Sequence, residues 1–339
     1  MKKLLIFDFN KKKYFKLCKE KKAPCNSVYG LNYIDKKKFI VDFISDYSLT
    51  RFKFFNNILY FFALFKNDII FSTQYLGFLY FKIFIPNKTK WVLFNINFST
   101  ILKNNEKNKI KYFLIKNAIK KADKIICLSN VQVNDLIRIG VKREKIELIL
   151  FGVDNDFYNY TKNDEGYILS VGKDGGRDFE SVINVAKKLN EKVIIITSKN
   201  SFSIFKKIQK NVKIIYDVDY LELRNYYQGA KIVVVSSKDE KKYIKHKFGS
   251  SDCSGQTVIL DAMACGKQVI ASKREWMDDY DLNILLYKAE NEDDLIKKIK
   301  QAINIETNEN TRLLSRKIID EKLNIKNFGK SLGNIFKKI

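Results

Sequence analysis

The stretch SDCSGQTVILDAMACGKQVIAS, Ser251 to Ser272, decides how the chain is read. A turn of small residues, Ser254-Gly255-Gln256-Thr257, opens an apolar run of helical period. Gly266 stops that run, and Gln268–Ala271 reads as a buried strand. Such a turn points backbone N–H groups out of a helix N-terminus, which makes a ready anion site. Asp261 falls one turn inside the helix, on the face of Thr257, where a carboxylate can accept hydrogen bonds from the vicinal hydroxyls of a ribose. The same spacing equally fits Thr257 as an ordinary N-cap with Asp261 as a solvated first-turn acid.

Upstream, Ile168 to Glu180 repeats the plan in the opposite sense: a strand ends at Gly172, and a glycine-rich turn leads into a helix. Lys173 and Arg177 flank the turn. Two cations at the carboxyl end of a strand can hold a diphosphate and stabilise its departure without a metal. The GxxxxGK[ST] spacing of a P-loop is absent. A basic loop whose Asp178 merely caps the following helix is the plainer alternative.

Working outward, short β-branched runs alternate with helical patterns along the whole chain. Strands are expected at Lys3–Phe9, Phe39–Ile44, Asp68–Phe71, Lys90–Ile96, Lys124–Leu128 and Ile146–Leu150, with helices near 26–35, 51–66, 75–84, 103–121 and 130–138. Residues 151–166 are polar and turn-rich, which suits a linker. The pattern then restarts, with strands at Tyr167–Val171, Lys192–Thr197, Lys213–Tyr216, Ile232–Ser236, Gln268–Ala271 and Leu282–Leu286. Helices are expected at 178–189, 201–208, 219–228, 257–264, 291–303 and 309–337. The implied fold class is α/β with two Rossmann-like domains. Residues 1–150, with a C-terminal helix from about 318 to 339, make the first, and residues 151–317 the second. Ligands of such sheets bind beyond the carboxyl ends of the strands, in the cleft between the domains.

Charge is unevenly spread. Residues 1–150 carry 30 Lys/Arg against 11 Asp/Glu, a net of +19, and the remainder carries 33 against 27, a net of +6, which together make +25. A basic N-terminal half suits an anionic partner such as a phospholipid surface, a lipid diphosphate or nucleic acid, or else is a lysine-rich solvated surface. No nucleic-acid module signature is present, so specific nucleic-acid binding is not expected. The five cysteines form no CxxC pair or Cys/His cluster, which argues for reduced thiols, a cytoplasmic location and no metal site. Asp8 and Lys11–Lys13 cut short the apolar start, and no uncharged run reaches the ~20 residues that span a bilayer. The helix expected at 51–66 is basic at its start and apolar around its later turns, fitting either burial or a membrane interface.

Three pieces, in order, resemble the retaining GT-B glycosyltransferases of family four. Ala122–Ser129 followed by Gly140–Ile146 and Phe151–Asp154 resembles the family's "aDkIi.lS … Gv..eKi.vi.nGvD" crossover. Gly172-Lys173 with Arg177 is similar to its "GR…K" diphosphate pair, with the two cation types exchanged. Leu260–Ile270 looks like "lEAMAcGkPVI". The likeness is good over residues 120–275 and is one of pattern only before that. It implies transfer of a hexose from a nucleoside-diphosphate sugar, UDP-sugar before GDP-sugar, to a hydroxyl of a glycan or lipid-linked acceptor. Retention and independence of metal and cofactor are implied too, with the enzyme in the cytoplasm or at the inner face of the membrane. In that reading Lys173 and Arg177 grip the leaving diphosphate, and Asp261 holds the ribose. The turn Ser254, Gly255, Gln256 and Thr257 faces the β-phosphate and sugar, and Val218, within Asp217-Val218-Asp219, meets the base.

The chain also departs from the family. Two glutamates eight positions apart are replaced by Cys253 and Asp261; Asp252 is the neighbouring carboxylate able to substitute for the first. The SGQT turn itself resembles a variant within the family. The family's N-domain histidine has its counterpart at Asn95 or Asn97, since the one histidine, His246, lies in a lysine-rich stretch of the other half. Asp217-Val218-Asp219 also matches the DxD of metal-dependent glycosyltransferases, although we expect no metal there. The alternative of another class is a basic membrane- or nucleic-acid-binding protein of GT-B type without transferase activity.

Overall fold

The computed structural model describes residues 1–8, 10–47, 62, 65–73, 88–200, 209–238, 253–288, 291–303 and 308–339. The expected helices at 51–66, 75–84 and 201–208 fall largely or wholly outside these residues, as do Asp252 and His246. The chain forms two compact units. One comprises Met1–Lys21, Cys25–Phe151 and Lys326–Ile339, the other Lys22–Pro24 and Gly152–Ile325.

The first unit holds β1 (Lys2–Phe7), β2 (Phe39–Phe43), β3 (Ile69–Ser72), β4 (Lys90–Phe94), β5 (Lys124–Cys127) and β6 (Ile146–Leu148). They form one parallel sheet in the order β2-β1-β3-β4-β5-β6. Parallel strands need crossovers, and helices laid on the sheet faces bury the strands on both sides, which is why they read as unbroken apolar runs. Helices α1 (Lys11–Lys19), α2 (Phe98–Asn105), α3 (Lys109–Lys120) and α4 (Asn130–Arg138) belong to this unit. Leu5, Ile70, Trp91, Leu93 and Ile125 meet Phe98, Ile115, Ile119 and Leu136 in its core. The buried Trp91 indole donates to Ser72 Oγ at 2.9 Å, so the largest core side chain leaves no polar atom stranded.

Three helix expectations change. The helix expected at 26–35 is two 3-10 turns, Cys25–Val28 and Leu31–Tyr33. Tyr29 and Gly30 separate them at φ 56° and 65°, a left-handed pair that no helix accommodates. The helix expected at 103–121 is α2 and α3, divided where Asn108 accepts from Lys111 N at 3.0 Å as an N-cap. The single C-terminal helix is α9 (Asn308–Glu321) and α10 (Ile325–Lys338), and the return to the first unit starts at Lys326 rather than near 318. Its anchor is aromatic: Phe328 stands 5.9 Å from Phe94 and 5.1 Å from Phe151, and Phe336 stands 5.7 Å from Phe71. A Cβ on Gly329 would overlap the Gly30 carbonyl, so only glycine allows this approach. Cys18 and Cys25 form a disulfide with Cα atoms 5.3 Å apart, which corrects the expectation of uniformly reduced thiols. The turn after α1 brings together two cysteines whose seven-residue separation matches no familiar motif.

The second unit contains β7 (Tyr167–Val171), β8 (Val193–Thr197), β9 (Val212–Tyr216), β10 (Ala230–Val235), β11 (Gln268–Ser272) and β12 (Leu285–Tyr287), parallel in the order β12-β11-β10-β7-β8-β9. Its helices are α5 (Phe179–Leu189), α6 (Tyr220–Gly229), α7 (Gln256–Ala264), α8 (Glu292–Ile303) and α9. The chain order reverses between β7 and β10, so the loops that leave these two strands diverge at a topological switch point.

Long cations hold the 155–163 segment in place. Arg316 Nη1 donates to Tyr158 O at 3.0 Å and Ala264 O at 2.7 Å, and Nη2 to Asn155 O at 3.0 Å. Arg312 donates to Gly266 O at 2.6 Å and Thr161 O at 2.8 Å. Fully buried Lys267 donates to Asn163 O at 2.9 Å. Carbonyls at the end of α7 and along the linker thus find donors in place of water. Arg316→Met leaves three carbonyls without their donor, and we expect a loss of about 2–4 kcal/mol in chemical denaturation; a change near zero would remove the clamp from the account.

Burial pushes the Lys267 ammonium down to about 8, and the charge of Arg312 adds to the effect. Between that value and the ordinary 10.5 the unfolded chain binds more protons, so this residue's contribution to stability improves as pH rises through that window. The melting temperature of the wild type relative to Lys267→Met should therefore rise between pH 7 and pH 10, on top of whatever the Asn163 hydrogen bond contributes at every pH. A difference between the two that stays constant with pH would contradict the buried charge.

Candidate functional site

The site is built at the switch point of the second unit. Val171 ends β7, and the loop Gly172–Arg177 follows. Asp174 organises it: Oδ1 accepts from Gly176 N at 3.0 Å, and Oδ2 accepts from Ser254 Oγ at 3.2 Å. The loop and the SGQT turn, 80 residues apart in sequence, are thereby joined. Asp178 N donates to Ser236 O at 3.2 Å and Lys238 N to Gly176 O at 2.8 Å, fixing the loop to the end of β10. Asp178 does cap α5, accepting from Ser181 N at 3.2 Å.

Arg177 is only 3% exposed. Its side chain lies over Gly172, where a Cβ would come within 2.6 and 2.7 Å of Cγ and Cδ. The guanidinium reaches Gly255, where a Cβ would stand 3.2 Å from Nη1. Asp174 Oδ2 lies 3.1 Å from Nε and pairs with it by charge, yet neither Nε nor Nη1 makes a hydrogen bond among the described residues. Beside it Gln256, 3% exposed, holds an Nε2 that also lacks a partner. Buried donors of this kind cost about 1–3 kcal/mol each when unpaired, more when charged. Both belong to or lie against the first residues of α7, where an incoming anion could supply the missing acceptor.

Gly255 takes φ 91° and starts α7 without any side-chain cap. Thr257 is thus inside the helix and exposed, which corrects the alternative that made it the N-cap. Asp261 is 6% exposed, so it is not the solvated acid of that alternative either. Thr257 and Asp261 share a helix face, but only the first reaches the surface, because buried Tyr158 and Tyr227 pack 5.7 Å apart beside α7. Burial raises the Tyr158, Tyr227 and Cys265 acids, and the nearby Asp261 charge raises them further. Asp261 is therefore buried close to this tyrosine pair.

The other expected residues fall around this core. Lys173 is exposed at the mouth of the loop, and Ser254 is half-buried. Cys253 is a buried cysteine outside the disulfide, and its carbonyl accepts from Gln256 N at 3.1 Å. Val218 is half-buried at the carboxyl end of β9, between Asp217 at φ 56° and Asp219. Asp219 accepts from Glu222 N at 2.9 Å as the N-cap of α6, and Asp217 Oδ2 from Lys199 N at 3.4 Å, so both DxD carboxylates have local backbone roles. In the first unit Asn95 is fully buried and caps α2, accepting from Phe98 N at 3.0 Å; the partly exposed Asn97 holds an unpartnered Oδ1.

Sequence reasoning missed a hydroxyl set beneath the loop. Tyr287 donates to Ser236 Oγ at 2.5 Å, and Ser237 N donates to Ser272 Oγ at 3.0 Å. These four residues sit on β10, β11 and β12 or just beyond them, and no sequence spacing links them.

Residues 176–304 match the model of the family described as Glycosyl transferases group 1. An uncharacterized glycosyltransferase of Methanocaldococcus jannaschii, MJ1069, is 29% identical over 318 residues, covering 82% of this chain and 75% of that protein. Among solved structures, Anabaena Alr3699/HepE in complex with UDP and glucose superposes with a TM-score of 0.73 at 14% identity, over 100% of both chains. Sucrose-phosphate synthase from Thermosynechococcus elongatus does so at 0.72 and 14%, over 100% of this chain and 99% of that one. These likenesses show the two-domain GT-B fold, and with the family match they support placing the chain among GT-B glycosyltransferases.

Gly172→Ala forces Arg177 off its seat. We expect it to weaken nucleotide binding by at least about tenfold while costing about 1–3 kcal/mol of stability; unchanged affinity would show that the Arg177 position is immaterial.

Proposed function

We propose that the chain transfers a hexose from a nucleoside-diphosphate sugar to a hydroxyl of a glycan or lipid-linked acceptor, with retention and without a metal. The observation that carries this reading is the pair of buried donors without hydrogen-bond partners, Arg177 Nη1 and Gln256 Nε2, beside the uncapped start of α7. A diphosphate satisfies both, and Lys173 closes over it from the exposed side. The UDP complexes of the HepE structures favour uridine as the base.

In this reading the bond from C1 of the sugar to the β-phosphate oxygen breaks, and the acceptor oxygen attaches to C1 from the same face. The departing phosphate takes the acceptor's proton, and Arg177 with Lys173 stabilises its growing charge. No protein nucleophile is needed. Ser254, Gly255, Gln256 and Thr257 face the β-phosphate and sugar, with Cys253 next to them in the chain, and Asp252, outside the described residues, is the carboxylate that would serve the sugar hydroxyls. Val218 lies against the base, and Asp261 holds the ribose.

Arg177→Ala and Lys173→Ala should each lower turnover by roughly 10²-fold or more, because the lost charge acts mainly in the transition state; an unchanged rate in both ends the phosphate assignment. A thermal-shift series of UDP, GDP, ADP and CMP with EDTA present should raise the melting temperature with UDP. No shift with any nucleotide would overturn the donor site, and a shift only with Mg²⁺ would overturn the metal-free mechanism.

A further inference from the structure

Helix α3 carries its apolar side chains on both faces. Ile115, Ala118 and Ile119 enter the core of the first unit. On the opposite face Ile110 is 75% exposed and Phe113 is 63% exposed, and their i, i+3 spacing makes them neighbours. Around this pair the lysines are dense: residues 98–122 contain seven lysines and a single acid, Glu106. Lys107, Lys109 and Lys111 are exposed, and Lys109 and Lys116 flank Phe113 on its own face, four positions before and three after. Asn108 caps the helix, so the two apolar side chains stand on its firm first turn rather than on a loop.

We propose that this face of α3 docks on an anionic phospholipid bilayer, with Ile110 and Phe113 entering the headgroup–acyl boundary and Lys107, Lys109, Lys111 and Lys116 on lipid phosphates. Charge complementarity selects the occupant: a lysine ring around an apolar tip matches a negative surface with an apolar interior. A nucleic acid answers the lysines but offers little to an exposed aliphatic and aromatic pair on one helix turn. The apolar area is small, so the contact is reversible and peripheral, in keeping with the fact that no helix among the described residues is long and apolar enough to cross a membrane. The surface lies wholly in the first unit, so the proposal goes beyond the transferase reading and stands without it.

The test uses the full chain and sedimentation with vesicles of phosphatidylcholine, alone or mixed with phosphatidylglycerol. The protein should sediment with the anionic vesicles only, and increasingly less as salt rises. Ile110→Ser with Phe113→Ser should weaken partitioning about tenfold or more. Lys109→Gln and Lys111→Gln should each weaken it up to about fivefold. All of these residues except Lys116 are exposed, so melting temperature and the UDP-induced shift should stay at wild-type values, which separates this surface from the donor site. Both native tryptophans, Trp91 and Trp276, are buried, so Phe113→Trp adds a surface reporter whose emission should move to the blue on anionic vesicles. Failure of the wild type to sediment with anionic vesicles, or sedimentation that ignores Ile110→Ser with Phe113→Ser, would overturn the proposal. So would a reporter that responds to duplex DNA or RNA and not to vesicles.

Discussion

A guanidinium packed onto a bare backbone is the interaction on which the candidate site depends. Arg177 lies across Gly172 and reaches Gly255, and a Cβ at either glycine would meet it. Taking a cation out of water is costly unless charge and hydrogen bonds replace the lost solvent. Asp174 supplies the charge at 3.1 Å but not the hydrogen bonds, and Nη1 is left directed toward the turn that opens α7. A group held in that state is pre-organised for an anion, because no donor needs to be freed from another partner before the anion binds.

That arrangement survives only because the segments around it are fixed independently. Asp174 joins the loop after β7 to the turn before α7 through Ser254, and backbone bonds from Asp178 and Lys238 hold the loop to the end of β10. Behind α7 the side chains of Arg312, Arg316 and Lys267 close the carbonyls of the linker and of the helix terminus. Helix α7 is buried on all sides except at Thr257, so its N-terminus cannot tilt away from Arg177 without opening the core. The rigidity of the site is thus that of the whole second unit.

The first unit solves a different problem. Its sheet is closed by a helix from the far end of the chain, and the aromatic contacts of Phe328 and Phe336, with the approach of Gly329 to Gly30, make α10 part of its core. The surplus of lysine over acid in this unit lies mostly on its surface, where it costs little stability and sets the sign of the field that a partner meets. In α3 that field surrounds two apolar side chains that the fold leaves outside its core.

The sequence by itself determined the two sheets, and it named a candidate site at the turns after β7 and before α7. All twelve strands among the described residues were legible because strands buried on both faces carry a pattern dense enough to read without tertiary knowledge, as in Val193–Thr197 or Ala230–Val235. Gly172 and the SGQT turn were legible as turns because tight backbone geometry favours small residues there, and Arg177 was legible only as a cation beside such a turn. Helix limits were less so: Tyr29-Gly30, Asn108 and the 322–324 break depend on single residues whose effect competes with the surrounding helical period. Only the tertiary structure decided that Arg177 is buried and Lys173 exposed, that Asp261 is buried near Tyr158 and Tyr227 rather than in water, that Cys18 and Cys25 meet, and that Ser236, Ser237, Ser272 and Tyr287 form one hydroxyl set. Burial and pairing are properties of which surfaces pack together. One-dimensional spacing carries no record of a neighbour that arrives from 35 or 80 residues away, and even the seven residues from Cys18 to Cys25 do not record the turn that brings the two together.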